Sequence, residues 1–379
     1  MAGVQKIVYK PARKVDRHVH HYLRETEAGV LNAQQVARAA LELRRSGFMP
    51  DVMAGHNGWG EIWYLKEVFP EVPLVGYFEF FYRLHGADVG FDPQDPITFD
   101  TGPRLRTKNL GNLLGLEVAD LGQCPTHWQK SLYPVRYRRL LRQVHEGVDT
   151  ALAKPDSNAA LALPDGRILR SGDEVLTYVA RNLEPYRGFP SFMRCLPAVL
   201  EARPSAQVVI VGGDETSYGP GLPSGQTYRK HMLDELGPRL DLSRVHFLGK
   251  VPHAAFLRVL RVSRAHVYLT YPFVLSWSML EAMSAGCLVI GSRTAPVEEV
   301  IRDGENGLLV NIFRPAEIAG RVVEALEQPQ LFAEMRARAR QTILERYDLS
   351  RVCLPAQLGL LEEATGMSLS KNVALGSTH

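Results

Sequence analysis

Cysteine is scarce: Cys124, Cys195, Cys287 and Cys353 are the only four in 379 residues, with no CxxC pair and no histidine nearby at metal-ligand spacing. That rules out a disulfide framework and a zinc-finger type of site, and it predicts reduced, buried thiols in a cytoplasmic protein. Long apolar runs are also missing. No stretch approaches the roughly 20 residues that a membrane-spanning helix needs, and the opening MAGVQKIVYKPARKV lacks the apolar centre of a secretory signal. Charge of one sign is lacking too, since 44 Lys and Arg stand against 41 Asp and Glu. A net +3 gives no bulk attraction to nucleic acid, although it leaves room for a local basic site. There is no internal repeat, no low-complexity tract and no GxGxxG fingerprint, so nicotinamide binding gets no support. His18, His20 and His21 have no further ligand at metal spacing, and no metal is expected there.

What is present reads as a soluble globular chain long enough for two domains, 45% hydrophobic and 22% charged. In the second half EVLTYVAR (174–181), AQVVIVGG (206–213), RVHFLGKV (244–251), AHVYLTY (265–271), CLVIGS (287–292) and GLLV (307–310) are short apolar runs, each followed by a turn and helical periodicity. Continuous apolar strands alternating with helices predict a parallel sheet covered on both faces. The first half alternates less cleanly: strands at 5–10, 50–56, 72–80 and 121–128, helices at 27–47 and 104–122. The Asp-, Pro-, Gly- and Ser-rich stretch KPDSNAALALPDGRILRSGD reads as a linker. The expected organisation is α/β: an N-terminal Rossmann-like domain over 1–165, a second over 166–348, then a helix and a polar tail over 349–379.

Several segments carry candidate chemistry. In YVARNLEPYRGF (178–189) a strand ends in Arg181, and Arg187 with Gly188 enters a helix. Two cations there suit a multiply charged anion, with solvated surface arginines an equally weighted alternative. VVIVGGDETSYG brings Gly213 and Asp214 to a strand end, where the glycines allow close backbone approach or simply a tight turn. In YPFVLSWSMLEAMSAG (271–286), Ser278-x-x-Glu281 is a capping-box pattern, in which Glu281 would bond back to the helix's first amides. The loop before it also sets free N–H groups and hydroxyls at a helix N-terminus, which suits a phosphate. Local rules leave the role of Glu281 open. The basic run YPVRYRRLLRQVHEG (133–147) reads as a solvated helix face, with contact to anionic lipid headgroups the lesser alternative.

Taken in order, VARNLEPYRGF, VVIVGGD, VHFLGKVP, the LEAMSAG stretch and TAPVEEVIRDGENGLLV resemble the retaining glycosyltransferases of family 4, which have the GT-B fold. The resemblance covers 170–345 and implies two doubly wound Rossmann-like domains facing across a cleft. It implies that Arg181 and Arg187 grip the donor diphosphate, although the family usually has lysine at the second position. It implies that Glu281 holds the nucleotide ribose, that Gly249, Lys250 and Val251 border the base, and that Ser276, Trp277 and Ser278 lie against the phosphates and sugar. Gly213, Asp214 and Thr294 fall among the donor-binding positions. The family typically carries a second glutamate eight positions before the first, against the transferred sugar, and here Phe273 occupies that place. A phenyl ring cannot accept a hydroxyl's hydrogen bond, so backbone groups of 274–276 or other residues would have to position the sugar.

The N-terminal half resembles the family more loosely, with His56 in PDVMAGHNGWGE and Glu79 and Tyr82 in VPLVGYFEFFYR implied on the acceptor and sugar side. CPTHWQK (124–130) and VHEGVDT (144–150) resemble the last strands before the linker, while the family's opening strand, glycine-rich loop and helix have no counterpart before QKIVYK. The implied activity is transfer of a sugar from a nucleotide-diphosphate sugar to a hydroxyl of a glycan, lipid or small molecule. Configuration is retained and the leaving phosphate takes the acceptor's proton. No Asp-x-Asp occurs to hold a divalent ion, so no metal and no other cofactor is expected. The expected location is the cytoplasm, with room for weak peripheral contact at the inner membrane face. Two alternatives stay open: a nucleotide-sugar epimerase of the same fold, and a catalytically weak sugar-nucleotide-binding module.

Overall fold

All six apolar runs of the second half are strands of one parallel sheet. In the computed structural model, which describes residues 3–223 and 225–368, these are β7 (Val175–Asn182), β8 (Gln207–Gly213), β9 (Val245–Gly249), β10 (Ala265–Tyr268), β11 (Leu288–Ser292) and β12 (Leu308–Val310). Their order is β12-β11-β10-β7-β8-β9 and every pairing is parallel. The chain leaves β7 towards β8 and β9, then crosses back to place β10 on the other side of β7. Between β7 and β10 the sheet therefore has a topological switch point, where strand ends splay apart and open α/β sheets bind ligands. Helices α7 (Phe189–Ala202), α8 (Tyr228–Leu236), α9 (His253–Val262), α10 (Trp277–Ser284), α11 (Ala295–Glu298), α12 (Pro315–Glu327) and α13 (Ala333–Arg346) complete the layers. Val208–Val211 in β8 and Val267 in β10 are buried on both faces, which is why these strands read as unbroken apolar runs.

A smaller sheet in the first half has order β1-β2-β3-β4, again all parallel: β1 (Met53–His56), β2 (Leu74–Tyr77), β3 (Leu121–Cys124) and β4 (Leu141–Gln143). With it go α1 (Arg24–Arg45), α2 (Leu65–Val68), α3 (Thr101–Lys108), α4 (Leu110–Val118), α5 (His127–Leu132) and α6 (Val135–Arg138). The two compact units are Met1–Glu146 with Cys353–His379, and Gly147–Val352. Helix α14 (Leu354–Thr365) thus belongs to the first unit, where Leu360 packs with Val75 and Leu121. The polar tail expected at the end of the chain lies outside the described residues from 369 on.

The structure corrects several expectations. Residues 5–10 form no strand; they are largely exposed, anchored by Tyr9, whose hydroxyl donates to Glu61 Oε1 at 2.7 Å. The helix over 104–122 is interrupted at Asn109, whose buried amide exchanges two hydrogen bonds (2.8 and 3.0 Å) with the Tyr82 backbone. The stretch read as a linker contains the antiparallel hairpin β5 (Ala160–Ala162) and β6 (Ile168–Arg170), which tucks Leu161 and Leu169 against Val259 and Val262. The structure draws the unit boundary at 146/147. The basic run is no continuous helix face: α6 ends at Arg138, β4 starts at Leu141, and Arg142 is ion-paired with Glu363. No helix among the described residues is long and apolar enough to cross a membrane. All four cysteines are buried, and none forms a disulfide among the described residues.

Candidate functional site

Arg187 stands at the switch point. The β7 strand ends, a short 3-10 turn (Pro185–Arg187) reverses the chain, and Gly188 with φ +67° starts α7. A side chain at Gly188 would bring its Cβ to 2.4 Å from Leu269, so only glycine lets β7 turn this closely over β10. The turn drives the Arg187 guanidinium inward, leaving it 7% exposed. Its Nη1 donates to Thr270 Oγ1 at 2.8 Å, to the Val274 carbonyl at 3.1 Å and to the Tyr268 hydroxyl at 3.4 Å. Those acceptors come from the β10 end and the loop that follows it, so the two sides of the switch point meet on this one side chain. The Tyr218 ring lies 5.1 Å from the guanidinium carbon. Every partner is neutral, and a buried cation met only by neutral oxygens and a ring has strong affinity for an anion.

The other donor-side candidates lie at the carboxyl ends of neighbouring strands. Arg181 is exposed near the end of β7 and forms no ion pair among the described residues. Gly213 closes β8, where an added Cβ would sit 2.4 Å from Lys250 Cε and 2.6 Å from Asn182 Oδ1. That closeness joins the ends of β7, β8 and β9. Gly249 has φ +65°, Lys250 pairs with Glu215 at 2.8 Å, and Val251 is half-buried against the core. Asp214 Oδ2 is bound by Arg229 of α8 at 2.5 Å, while its Oδ1 is buried with no hydrogen-bond partner among the described residues. Thr294 is buried at the start of α11, within 3.3 Å of the Ser292 hydroxyl.

The capping box is not formed. Helix α10 begins at Trp277 with Ser276 as its cap, the Ser276 hydroxyl accepting from the Ser278 N–H at 3.3 Å. Two residues of register decide this: Glu281 is the fifth helical residue, too far along to reach the first amides. Its carboxyl instead meets His253 Nε2 at 2.6 Å, at the start of α9. Burial pushes the Glu281 carboxyl up, and the His253 hydrogen bond opposes that shift. Trp277 is 57% exposed, while Tyr268 OH accepts from the Ser276 N–H at 2.8 Å. Tyr268 thus touches both Arg187 and the head of α10.

Phe273 is 7% exposed inside an aromatic group, with ring centroids 5.0 Å from Tyr218 and 5.7 Å from Tyr186. Tyr186 also packs on Tyr271 at 4.9 Å. Where a second acid would face a sugar, this chain has an apolar wall continuous with the ring over Arg187.

In the first unit His56 and Glu79 come together, Nε2 to Oε2 at 3.7 Å, at the carboxyl ends of β1 and β2. The Gly58 N–H donates to His56 Nδ1 at 3.0 Å, which fixes the ring's orientation. Tyr77 OH donates to Glu146 in the same region. Tyr82 is engaged elsewhere, with the Lys108 ammonium 4.2 Å from its ring.

Four residues near these groups were not singled out from the sequence. Glu184 is fully buried and accepts from the N–H groups of Ser217, Tyr218 and Gly219 at 3.0–3.2 Å. It clamps the loop that carries Tyr218 over Arg187. Its signal was its place in the chain, an acid two residues after the end of β7 and three before Arg187. His253, Tyr268 and Thr270 carried no local signal, because their roles depend on contacts between distant strand ends.

Residues 1–153 match the model described as glycosyl transferase family 4 group, and residues 165–342 match that of glycosyl transferases group 1. The chain belongs to the family 4 glycosyl transferases. The phosphatidyl-myo-inositol mannosyltransferase of Mycolicibacterium smegmatis is 32% identical over 217 residues, 55% of this chain and 49% of that protein. The D-inositol 3-phosphate glycosyltransferase of Streptomyces scabiei is 24% identical over 295 residues, 76% of this chain and 61% of that one. The matched part is therefore about half to three-fifths of these relatives' length. Among solved structures, Anabaena HepE in complex with UDP and glucose superposes with TM-score 0.62 at 17% identity, over 87% of this chain and 81% of HepE. Sucrose-phosphate synthase from Thermosynechococcus elongatus gives 0.65 at 17% identity, over 89% and 79%. The fold of this family 4 member is GT-B.

Proposed function

We propose that the chain is a retaining glycosyltransferase that moves a sugar from a nucleotide-diphosphate sugar to an acceptor hydroxyl without a metal ion. The observation that carries the reading is Arg187: a buried guanidinium at the switch point, held by Thr270, Val274 and Tyr268, with no carboxylate partner among the described residues. A diphosphate placed there supplies the missing anion. Arg187, exposed Arg181 and the N–H groups at the head of α10 then stabilise the charge that grows on the leaving diphosphate, the usual large electrostatic contribution to catalysis. Glu281 accepts from the ribose hydroxyls, a role supported by its half-buried carboxyl, whose partner His253 is itself well exposed. As the anomeric C–O bond to the diphosphate breaks, the acceptor oxygen bonds to the same carbon on the same face. The acceptor's proton passes to the departing phosphate oxygen. His56 and Glu79 are assigned to positioning on the acceptor side.

The names of the relatives make phosphoinositol-type hydroxyl acceptors the first to try. The decisive experiment is a transfer assay over a panel of UDP- and GDP-sugars, comparing the parent with Arg187→Ala and Arg187→Lys. Loss of one charge-assisted diphosphate contact of about 1.5–3 kcal/mol predicts a roughly 10- to 100-fold fall in turnover for Ala, with part restored by Lys. Unchanged turnover in the Ala variant removes Arg187 from the mechanism. An isomerised sugar in place of transfer would establish an epimerase, and nucleotide-sugar binding without turnover a binding module.

A further inference from the structure

A second charged site lies at the opposite, amino-terminal edge of the same sheet. A cavity of about 370 Å³ opens there, walled by the segments that lead into β7, β10 and β11 together with the Pro155–Ser157 stretch and α13. Three of its lining residues are Arg261, Arg264 and Arg336. All three are arginines whose known contacts are backbone carbonyls: Arg261 with Leu152 and Lys154, Arg264 with Leu326 and Gly172, Arg336 with Pro329 at 2.6 Å. None forms an ion pair among the described residues. A guanidinium has five N–H donors, so each keeps at least three for something else. The only acid in the lining is Asp156, which accepts from the Asn158 N–H at 3.0 Å. Ser157 and Ser171 add hydroxyls to the wall.

Three half-buried cations against one carboxylate is an arrangement that opposes folding unless something offsets it. Burial pulls the Arg336 guanidinium below its ordinary value, and the Arg264 charge acts in the same direction. An excess of two positive charges matches a dianion, and forked guanidinium donors fit the oxygens of a phosphate. The volume is at the small end of ligand pockets, which admits a compact metabolite and excludes a peptide or an acyl chain.

We propose that this cavity binds a small phosphate monoester, at a site separate from the donor site and on the other edge of the sheet. The test is titration calorimetry on the full chain with glucose 6-phosphate and inorganic phosphate as probes, for the parent, Arg187→Ala, Arg336→Gln and Arg261→Gln. The expected result is saturable glucose 6-phosphate binding that Arg187→Ala leaves unchanged and that either cavity variant weakens at least about tenfold. Arg261→Gln keeps the test valid if Arg336→Gln fails to fold, because the two hydrogen bonds of the half-buried Arg261 lie at the surface. No saturable binding by the parent, or binding lost in Arg187→Ala and kept in both cavity variants, overturns the proposal. Neither outcome touches the transferase reading, which stands or falls on Arg187.

Discussion

Glu281, the carboxyl we propose for the ribose, shows how such a group can work against the fold that holds it. Its side chain is 17% exposed, and burial raises its proton affinity above that of a free glutamate despite the His253 bond at 2.6 Å. A carboxyl with a raised folded-state value contributes stability in full below its unfolded value, and loses that contribution as pH rises through the folded one. At neutral pH the ionised group therefore opposes folding. Glu281→Gln, which keeps an acceptor for His253, is expected to melt higher than the parent at pH 7. The difference should vanish below about pH 4, where both side chains are neutral. Nucleotide affinity should fall at the same time. A lower melting temperature at pH 7 would mean that the carboxylate is structural. Phe273 is the residue-scale counterpart: its ring packs on Tyr218 and Tyr186, so it belongs to an apolar wall that no local pattern announced.

At the scale of elements, the turn from β7 into α7 is a tightly constrained join of the second unit. Gly188 combines φ +67° with Leu269 Cβ at 2.4 Å and Ile312 Cδ1 at 3.1 Å from where its own Cβ would be. Gly188→Ala meets left-handed strain of about 1–2 kcal/mol and overpacking of about 1–3 kcal/mol. A loss of roughly 2–5 kcal/mol is expected in urea unfolding, with weakened turnover because Arg187 immediately precedes it. A change under about 1 kcal/mol would show that the join relaxes. The strands around this turn were legible in the sequence because double-sided burial leaves each one an unbroken apolar run. Residues 5–10 have a similar run, yet no strand among the described residues pairs with it, and pairing is a long-range property. The β5–β6 hairpin was hidden for a different reason. Its turn, Pro164-Asp165-Gly166 with φ +89° at the glycine, is a strong turn signal that composition alone assigned to a linker. In the site, the strand-end arginines and glycines were visible as local motifs. Glu281's partner His253, 28 residues away, and the Glu184 clamp across to residues 217–219 were not, because each joins different strand ends.

For the whole molecule, the chain path makes the stability of the first unit depend on its last helix. After the second unit ends at Val352, α14 returns to the first, where Leu360 packs with Val75 of β2 and Leu121 of β3. Gln357 Nε2 donates at 3.2 Å to the carbonyls of His145 and Glu146, and Glu363 pairs with Arg142 of β4. One helix thereby ties three of the four strands of the small sheet, and it does so beside the segment that carries Glu146, the partner of Tyr77. Removing Cys353 onward exposes Val75 and Leu121 and leaves those two carbonyls without their donor. Burying one Leu side chain contributes about 1.5–3 kcal/mol, and each neutral hydrogen bond about 1 kcal/mol. The truncated chain is thus expected to lose roughly 3–5 kcal/mol from the first unit alone. Hydrogen exchange should show it: amides of β1–β4 lose protection while those of β7, β8 and β10 keep theirs. Equal loss in both sheets would mean that the two units unfold as one, and that the boundary at 146/147 does not divide the molecule energetically.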